Sequence, residues 1–342
     1  MKKQIIKYLF LFVSVIISVT ILGSCTEQYN PRSKKDNFEV LWNTINERYC
    51  FFAYKDIDWH EVKLKYAPAV DSCKTSEELF YVFADMLSEL KDGHVNLYST
   101  FDVARYWKWF EDYPRNFYPS VQEHYLRTDY QIAGGLKIQS LPDSVGYIYY
   151  GSFSSPVSHT NMSAAFQKFK GYKGIIFDIR DNGGGNLNTA DQIASRFADE
   201  KRTVGYIKHK NGPGYNDFSE PAPIRLTPYD GWRWNYPVVI LTNRHCFSAA
   251  NYFVMLMRQL NHVTIIGDRT GGGSGLPFSS ELPIGWSVRF SASPIMNEKM
   301  EDTEFGIDPD IFVTFDMENL MLDIDPMIES AKKYILDHPH KL

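Results

Sequence analysis

YPVVILTNRHCFSAANYFVMLMRQLNHVTIIG, residues 236–267, is the stretch that decides the fold. Tyr236 to Thr242 is a short apolar run of the kind buried on both faces of a parallel sheet. From Ser248 to Leu260 the apolar spacing becomes helical, with Ala249, Tyr252, Phe253, Leu256 and Leu260 on one face. Val263 to Gly267 is again a strand-like run. Strand, helix and strand in that order form a βαβ unit, so this part of the chain is α/β with a parallel or mixed sheet.

Working outward, Gly174 to Ile179 is a second continuous apolar run, followed by three glycines and a helical pattern from Asn188 to Ala198. Val145 to Tyr150 alternates like a strand, with a helix near Asn161 to Phe169. Trp286 to Ser293 alternates as an added strand, and Pro326 to Leu336 reads as a helix. The amino-terminal part is different. Phe38, Leu41, Trp42 and Ile45 fall at i, i+3, i+4 and i+7, and a second amphipathic run carries Leu79, Phe80, Phe83, Met86, Leu87 and Leu90. Ser76 is the expected N-cap of that run, and Gly93 its stop. Phe101 to Pro142 is aromatic and irregular, with weak strand signals.

The first residues form a targeting segment. Lys2 and Lys3 give a positive start, Tyr8 to Leu22 is almost wholly apolar, and Leu22, Gly23 and Ser24 precede Cys25. Small residues directly before a cysteine resemble a bacterial lipobox, which makes Cys25 the expected lipidated residue; the other reading is an uncleaved membrane anchor. The expected layout is a lipoprotein signal peptide over 1–25, a tether over 26–35, a helical subdomain over 36–94, an irregular connection over 95–144 and an α/β core over 145–342. The body is then outside the cytoplasm, anchored in the bacterial cell envelope.

With 44% apolar and 23% charged residues the composition is that of a folded globular protein. Acids outnumber Lys and Arg by 41 to 36, and removing the leader removes Lys2, Lys3 and Lys7 but no acid. That balance excludes a basic nucleic-acid face. Cys50, Cys73 and Cys246 are the remaining cysteines; Cys50 and Cys73 can be paired or all three left unpaired. None has metal-ligand spacing to a histidine, so neither metal nor cofactor is expected.

Three local features can carry chemistry. The loop RDNGGGN, residues 180–186, ends a buried strand. It is either a tight connection or half of an oxyanion hole, and it lacks dinucleotide and P-loop spacing. Ser248 is either an ordinary helix cap or a nucleophile at the positive end of a helix, with the Ala249 N–H beside it. The G-x-S-x-G string is absent, which disfavours a lipase-like esterase. A serine nucleophile needs a base, and the nine histidines include His245 on the same turn and His94 within LKDGHVNL, residues 90–97. EFGIDPD, residues 304–310, reads by itself as a solvated turn.

Together the strings DGHV (92–95), DIRDNGGG (178–185), FSAA (247–250), GDRTG (267–271) and FGIDPDI (305–311) resemble the tail-specific, or C-terminal processing, protease family, serine peptidase family S41. The resemblance spans Asp36 to Val313 and implies a crotonase- or Clp-like α/β core with a helical amino-terminal part. It implies Ser248 as nucleophile, the backbone amides of Gly184 and Ala249 as oxyanion donors, and a peptide or protein substrate. Relatives with a lysine base carry it in a string that here reads TGGGS (270–274), with Gly273 in the lysine's place. The chain is therefore similar to the tricorn-core and retinoid-binding-protein-like branch, which implies His94 as base and Glu304 as its orienter. Residues 95–144 are too few for the PDZ domain of roughly a hundred residues that many relatives carry. The same fold in retinoid-binding relatives implies the alternative of a non-catalytic protein that binds an apolar ligand or a peptide.

Overall fold

The computed structural model describes residues 29–111 and 113–339. The leader and Cys25 lie outside the described residues. Among the described residues no helix is long and apolar enough to cross a membrane.

The central sheet has seven strands, in the order Ile311–Phe312, Val263–Gly267, Val238–Thr242, Gly174–Asp178, Val145–Tyr149, Leu136–Leu141 and Gln131–Ala133. The first five run parallel; the last two join antiparallel. Successive side chains point to opposite faces, and both faces are covered. Ile175, Phe177, Val238, Ile240 and Ile265 pack under the helices His159–Lys168, Leu187–Ser195 and Ala249–Met257. Ile176, Val239, Leu241 and Ile266 pack against Met327, Ile328, Ala331 and Ile335 of the last helix, Pro326–Asp337. Two-sided burial explains why these strands read as unbroken apolar runs.

A second sheet runs Val103–Arg105, Asn96–Tyr98, Ser287–Asn297, Arg202–Ile207 and Ala222–Leu226, with Gly275–Glu281 also paired to Ser287–Asn297. The amino-terminal helices Lys34–Arg48, Trp59–Ser72 and Ser76–Ser88 pack on it. Phe38, Trp42, Phe80 and Phe83 share one core with Leu282, Trp286, Val288 and Phe290. The helical region and a strand more than two hundred residues later thus bury each other's apolar surface.

The mixed α/β architecture with an amino-terminal helical region is as expected, with three differences of detail. The N-cap of the 76–88 helix is Thr75, whose side chain accepts from the Glu78 N–H, while Ser76 is already helical. The added strand is Ser287–Asn297, which runs four residues beyond Ser293 and belongs to the second sheet. Residues 131–141 are not irregular: they form a hairpin that extends the central sheet. Gln131–Ala133 is a three-residue edge strand, and Leu136–Leu141, paired on both sides, carries Lys137, Gln139 and Ser140 among its apolar residues, which leaves a weak apolar pattern. Cys50, Cys73 and Cys246 are all free and buried.

Candidate active site

Ser248 lies where the Val238–Thr242 strand feeds the Ala249–Met257 helix. It has φ 58° and ψ −118°, and its side chain makes no capping hydrogen bond. An ordinary cap has extended backbone and accepts from the first turn. Ser248 does neither. Left-handed backbone at a non-glycine residue is strained and must be held by its surroundings. Here the Ser248 N–H donates to the Gly272 carbonyl at 2.8 Å, and the Phe247 N–H to the Asn182 carbonyl at 3.1 Å.

His94 follows the end of the amino-terminal helices and directly precedes the strand Asn96–Tyr98 of the second sheet. Its Nε2 is 2.9 Å from Ser248 Oγ. In the tautomer with the proton on Nδ1, the hydroxyl donates to Nε2, which is the arrangement for proton removal. The ring packs against Phe247 at 4.8 Å between centroids, and Phe247 stacks on Trp109 at 4.3 Å. Burial pushes the His94 pKa down to about 4; Arg289 and Lys55 push the same way, while Asp92 opposes them. The imidazole is thus kept neutral, the form a base requires. His245 is elsewhere, against Phe110 and Trp109.

Among the described residues Glu304 makes no hydrogen bond to His94. Its Oε1 pairs with Lys55 Nζ at 2.9 Å, and its Oε2 accepts from the Ser274 N–H at 2.8 Å. His94 Nδ1 is buried with no partner among the described residues. The link from Glu304 toward His94 runs instead through a network of buried charges. Lys55 Nζ also lies 3.5 Å from Asp92, which accepts from the His94 backbone N–H at 2.8 Å and from Tyr49 Oη at 3.0 Å. Burial, with the neighbouring Asp92 charge, raises the Glu304 pKa to about 7 despite Lys55. Burial disfavours the Lys55 ammonium, but Asp92 and Glu304 outweigh it and hold its pKa above the ordinary value. Lys55 was not foreseen, because it ends the four-residue helix Phe52–Lys55, too short to show a pattern.

The glycine loop packs directly on the serine turn. A Cβ on Gly184, at φ 96°, would lie 2.6 Å from the Phe247 carbonyl oxygen and 2.8 Å from the Ala249 nitrogen, so only glycine fits. The Gly184 N–H, however, donates to Asn182 Oδ1 at 3.0 Å and is not free to receive an oxyanion. The Gly185 N–H has no acceptor among the described residues, and Gly185 lines the cavity beside Ser248. The Ala249 N–H occupies the first turn of its helix, where no intrahelical carbonyl is available. Ala249 and Gly185 are thus the amides this conformation offers.

Gly273, where a lysine base would stand, has φ 73°, and any Cβ there would run into the Phe247 ring. The loop is fastened to the serine helix from the other side. Thr270 Oγ1 donates to Asn251 Oδ1 at 2.6 Å and accepts from the Ile307 N–H at 2.7 Å. Asp178 and Arg180 are not at the reacting centre. Arg180 pairs with Asp178 at 2.6 Å and with Asp325 at 2.8 Å, all buried, which ties the root of the glycine loop to the last helix.

A cavity of about 330 Å³ opens beside Ser248, walled by Gly185, Tyr252, Met255, Leu276, Arg289 and Ile295 among others. A strained serine at a helix start, facing a buried neutral histidine with backbone amides and a cavity alongside, is the arrangement of a serine hydrolase. The family model for peptidase family S41 matches residues 144–313, and that for the tricorn protease C1 domain matches residues 31–88. A solved structure of a candidate peptidase from Parabacteroides merdae ATCC 43184 is 54% identical, with a TM-score of 0.86, over 89% of this chain and 97% of that one. The chain belongs to peptidase family S41. Carboxy-terminal processing protease CtpA of Bacillus subtilis (strain 168) is 26% identical over 153 residues, 44% of this chain and 31% of that protein. Tricorn protease of Thermoplasma volcanium is 28% identical over 171 residues, 48% of this chain and 15% of that protein. The matched regions thus span less than a third of these curated relatives.

Proposed function

We propose that the chain is a serine endopeptidase of the bacterial cell envelope, acting through an acyl-enzyme on Ser248. The observation that carries this reading is the 2.9 Å approach of His94 Nε2 to the hydroxyl of a strained serine. Family membership and the likeness to named processing proteases support it.

In this reading His94 Nε2 takes the Ser248 proton as Oγ attacks the peptide carbonyl carbon. The oxyanion is received by the Ala249 and Gly185 N–H groups, with Gly184 joining only if it releases Asn182. His94 then protonates the leaving amine, and water deprotonated by His94 cleaves the acyl ester. Asp92 favours the transient imidazolium by its charge. Glu304 acts at one remove, through Lys55, which keeps Asp92 ionised and in place.

The lipid anchor at Cys25 belongs to the same proposal, supported by the leader sequence alone. Expression in a bacterial host with an alkyne fatty acid should label the wild type and not Cys25→Ala. The peptidase reading is tested by digestion of a mixed peptide library with the full chain, with products identified by mass spectrometry. Cleavage by the wild type and none by Ser248→Ala is expected. No cleavage by a folded wild type, together with saturable binding of apolar ligands, would instead favour the binding-protein reading.

A further inference from the structure

We propose that Arg289 selects the substrate by pairing with a carboxylate of the peptide held in the cavity beside Ser248, an inference that rests on the peptidase reading above.

Arg289 belongs to the strand Ser287–Asn297 and lies opposite Asn96, two residues from His94. It is half-buried and forms part of the wall of the cavity that Ser248 also lines. Among the described residues it has no acidic partner and donates no hydrogen bond to a protein group. Fully buried cations elsewhere in the fold are partnered: Arg196, which has no carboxylate, donates to the Trp232 and His159 carbonyls and to Ser163 Oγ. Lys55 reaches both Asp92 and Glu304, and Arg180 reaches both Asp178 and Asp325. Arg244, also without a carboxylate, donates to the Trp109 and Thr270 carbonyls, so Arg289 is set apart by having neither a carboxylate nor a carbonyl among the described residues.

The cavity wall combines Leu187, Met255, Leu276 and Ile295 with the uncharged polar Asn188 and Asn251, and Arg289 is its one charged side chain. A charge beside such a wall is poorly screened, so an arriving anion gains more there than at the open surface. The planar guanidinium offers paired N–H donors that match a carboxylate in geometry as well as charge. A second consequence concerns the base. Arg289 is one of the charges that disfavour imidazolium at His94. A carboxylate seated on Arg289 cancels that field, so binding the right substrate makes His94 a stronger base. Selection and activation are thereby linked through one side chain.

The carboxylate has two possible sources: an acidic side chain close to the scissile bond, or the α-carboxylate of a substrate that ends within the cavity. A peptide cleaved in the library digest is resynthesised with Glu, Gln or Lys on either side of the scissile bond, each as free acid and as carboxamide. These are compared for the full chain, Arg289→Gln and Arg289→Glu, reading kcat/KM ratios within each protein so that partial misfolding cancels. The wild type should prefer Glu over Gln, or free acid over amide, by about tenfold, the scale of one charge-assisted hydrogen bond. The first result assigns the side chain and the second the terminus. Arg289→Gln should bring the ratio to about one, and Arg289→Glu should turn the side-chain preference toward Lys. Wild-type ratios within about twofold of one, or a preference that survives Arg289→Gln, would overturn the proposal. If the wild type cleaves nothing, the peptidase reading fails separately. Fluorescence anisotropy on Ser248→Ala then decides, with a fluorescein-labelled peptide captured from the same library by Ser248→Ala and resynthesised with Glu or Gln, as free acid and as carboxamide. Carboxylate-dependent binding that Arg289→Gln removes supports the assignment, and charge-independent binding overturns it.

Discussion

His94 and Ser248 are separated by 154 positions in the chain, yet their side chains meet at 2.9 Å across the junction of two sheets. His94 stands two residues before the strand Asn96–Tyr98 of the second sheet, and Ser248 just beyond the carboxyl end of a central strand of the first. Their meeting depends on the way the glycine loop, the 270–274 segment and Phe247 hold the serine turn. From that relationship come expectations about proton transfer, the oxyanion and the stability of the buried charges.

The first concerns pH. In the proposed mechanism His94 can accept the Ser248 proton only when neutral, and its pKa is held at about 4. As pH falls from 7, acylation of Ser248 should persist well below the ordinary histidine value of about 6.5. The acid limb of the labelling rate should then have its midpoint near 4, measured with a neutral fluorophosphonate. A midpoint at 6.5 or higher would contradict the buried environment described for the ring. The same depressed pKa carries a stability consequence. The unfolded chain binds the His94 proton more tightly, so the stability this group contributes near neutrality is lost as pH falls from about 6.5 through 4.

The second concerns the glycine loop. Gly184→Ala places a methyl against the Phe247 carbonyl and the Ala249 nitrogen, whereas a Cβ at Gly183 meets nothing within 4 Å. Gly184→Ala should slow acylation by ~10²–10³, the usual cost of a lost oxyanion donor. Gly183→Ala should stay within about threefold of wild type. Equal rates for the two variants would remove the loop from the reacting centre.

The third concerns Lys55. Its ammonium lies between Asp92 and Glu304, with all three side chains buried. Lys55→Met leaves two carboxylates facing each other without a cation and should destabilise the fold by about 3–5 kcal/mol in urea unfolding. Lys55→Met combined with Glu304→Gln should recover part of that loss, since one charge is then removed. A single-variant loss under about 1 kcal/mol would show that the network contributes little.

The fourth concerns the vacated lysine position. Gly273 has a left-handed backbone and lies against the Phe247 ring. His94→Ala with Gly273→Lys should therefore remain inactive toward a fluorophosphonate. It should also unfold at lower temperature than His94→Ala alone. Restored labelling would mean that the site can accept a lysine base, contrary to this packing.

The parallel strands were legible because burial on both faces leaves runs such as Val238 to Leu241 with no polar residue to confuse the period. The helix at Ala249 was legible for a similar reason. Strands 131–133 and 136–141 gave only weak signals, since one is three residues long and the other carries Lys137, Gln139 and Ser140 among its apolar residues. Ser248 and His94 were legible as short strings in a familiar order, but the strain at Ser248 and the 2.9 Å contact exist only once two sheets are assembled. Lys55 and Arg289 carried no signal. One ends a four-residue helix and the other sits in an alternating strand, and each acquires meaning from neighbours far away in sequence. Asp178 and Arg180 show the converse: a motif that reads as chemistry is, in the fold, a buried clamp on Asp325.

The most direct test of the account is the reaction of the purified chain with a fluorophosphonate, with the modified residue located by peptide mass spectrometry. Wild type should be modified at Ser248, with His94→Ala slower by ~10² or more and His245→Ala little changed. An unmodified but folded wild type, modification at another residue, or a His94→Ala rate equal to wild type would contradict it.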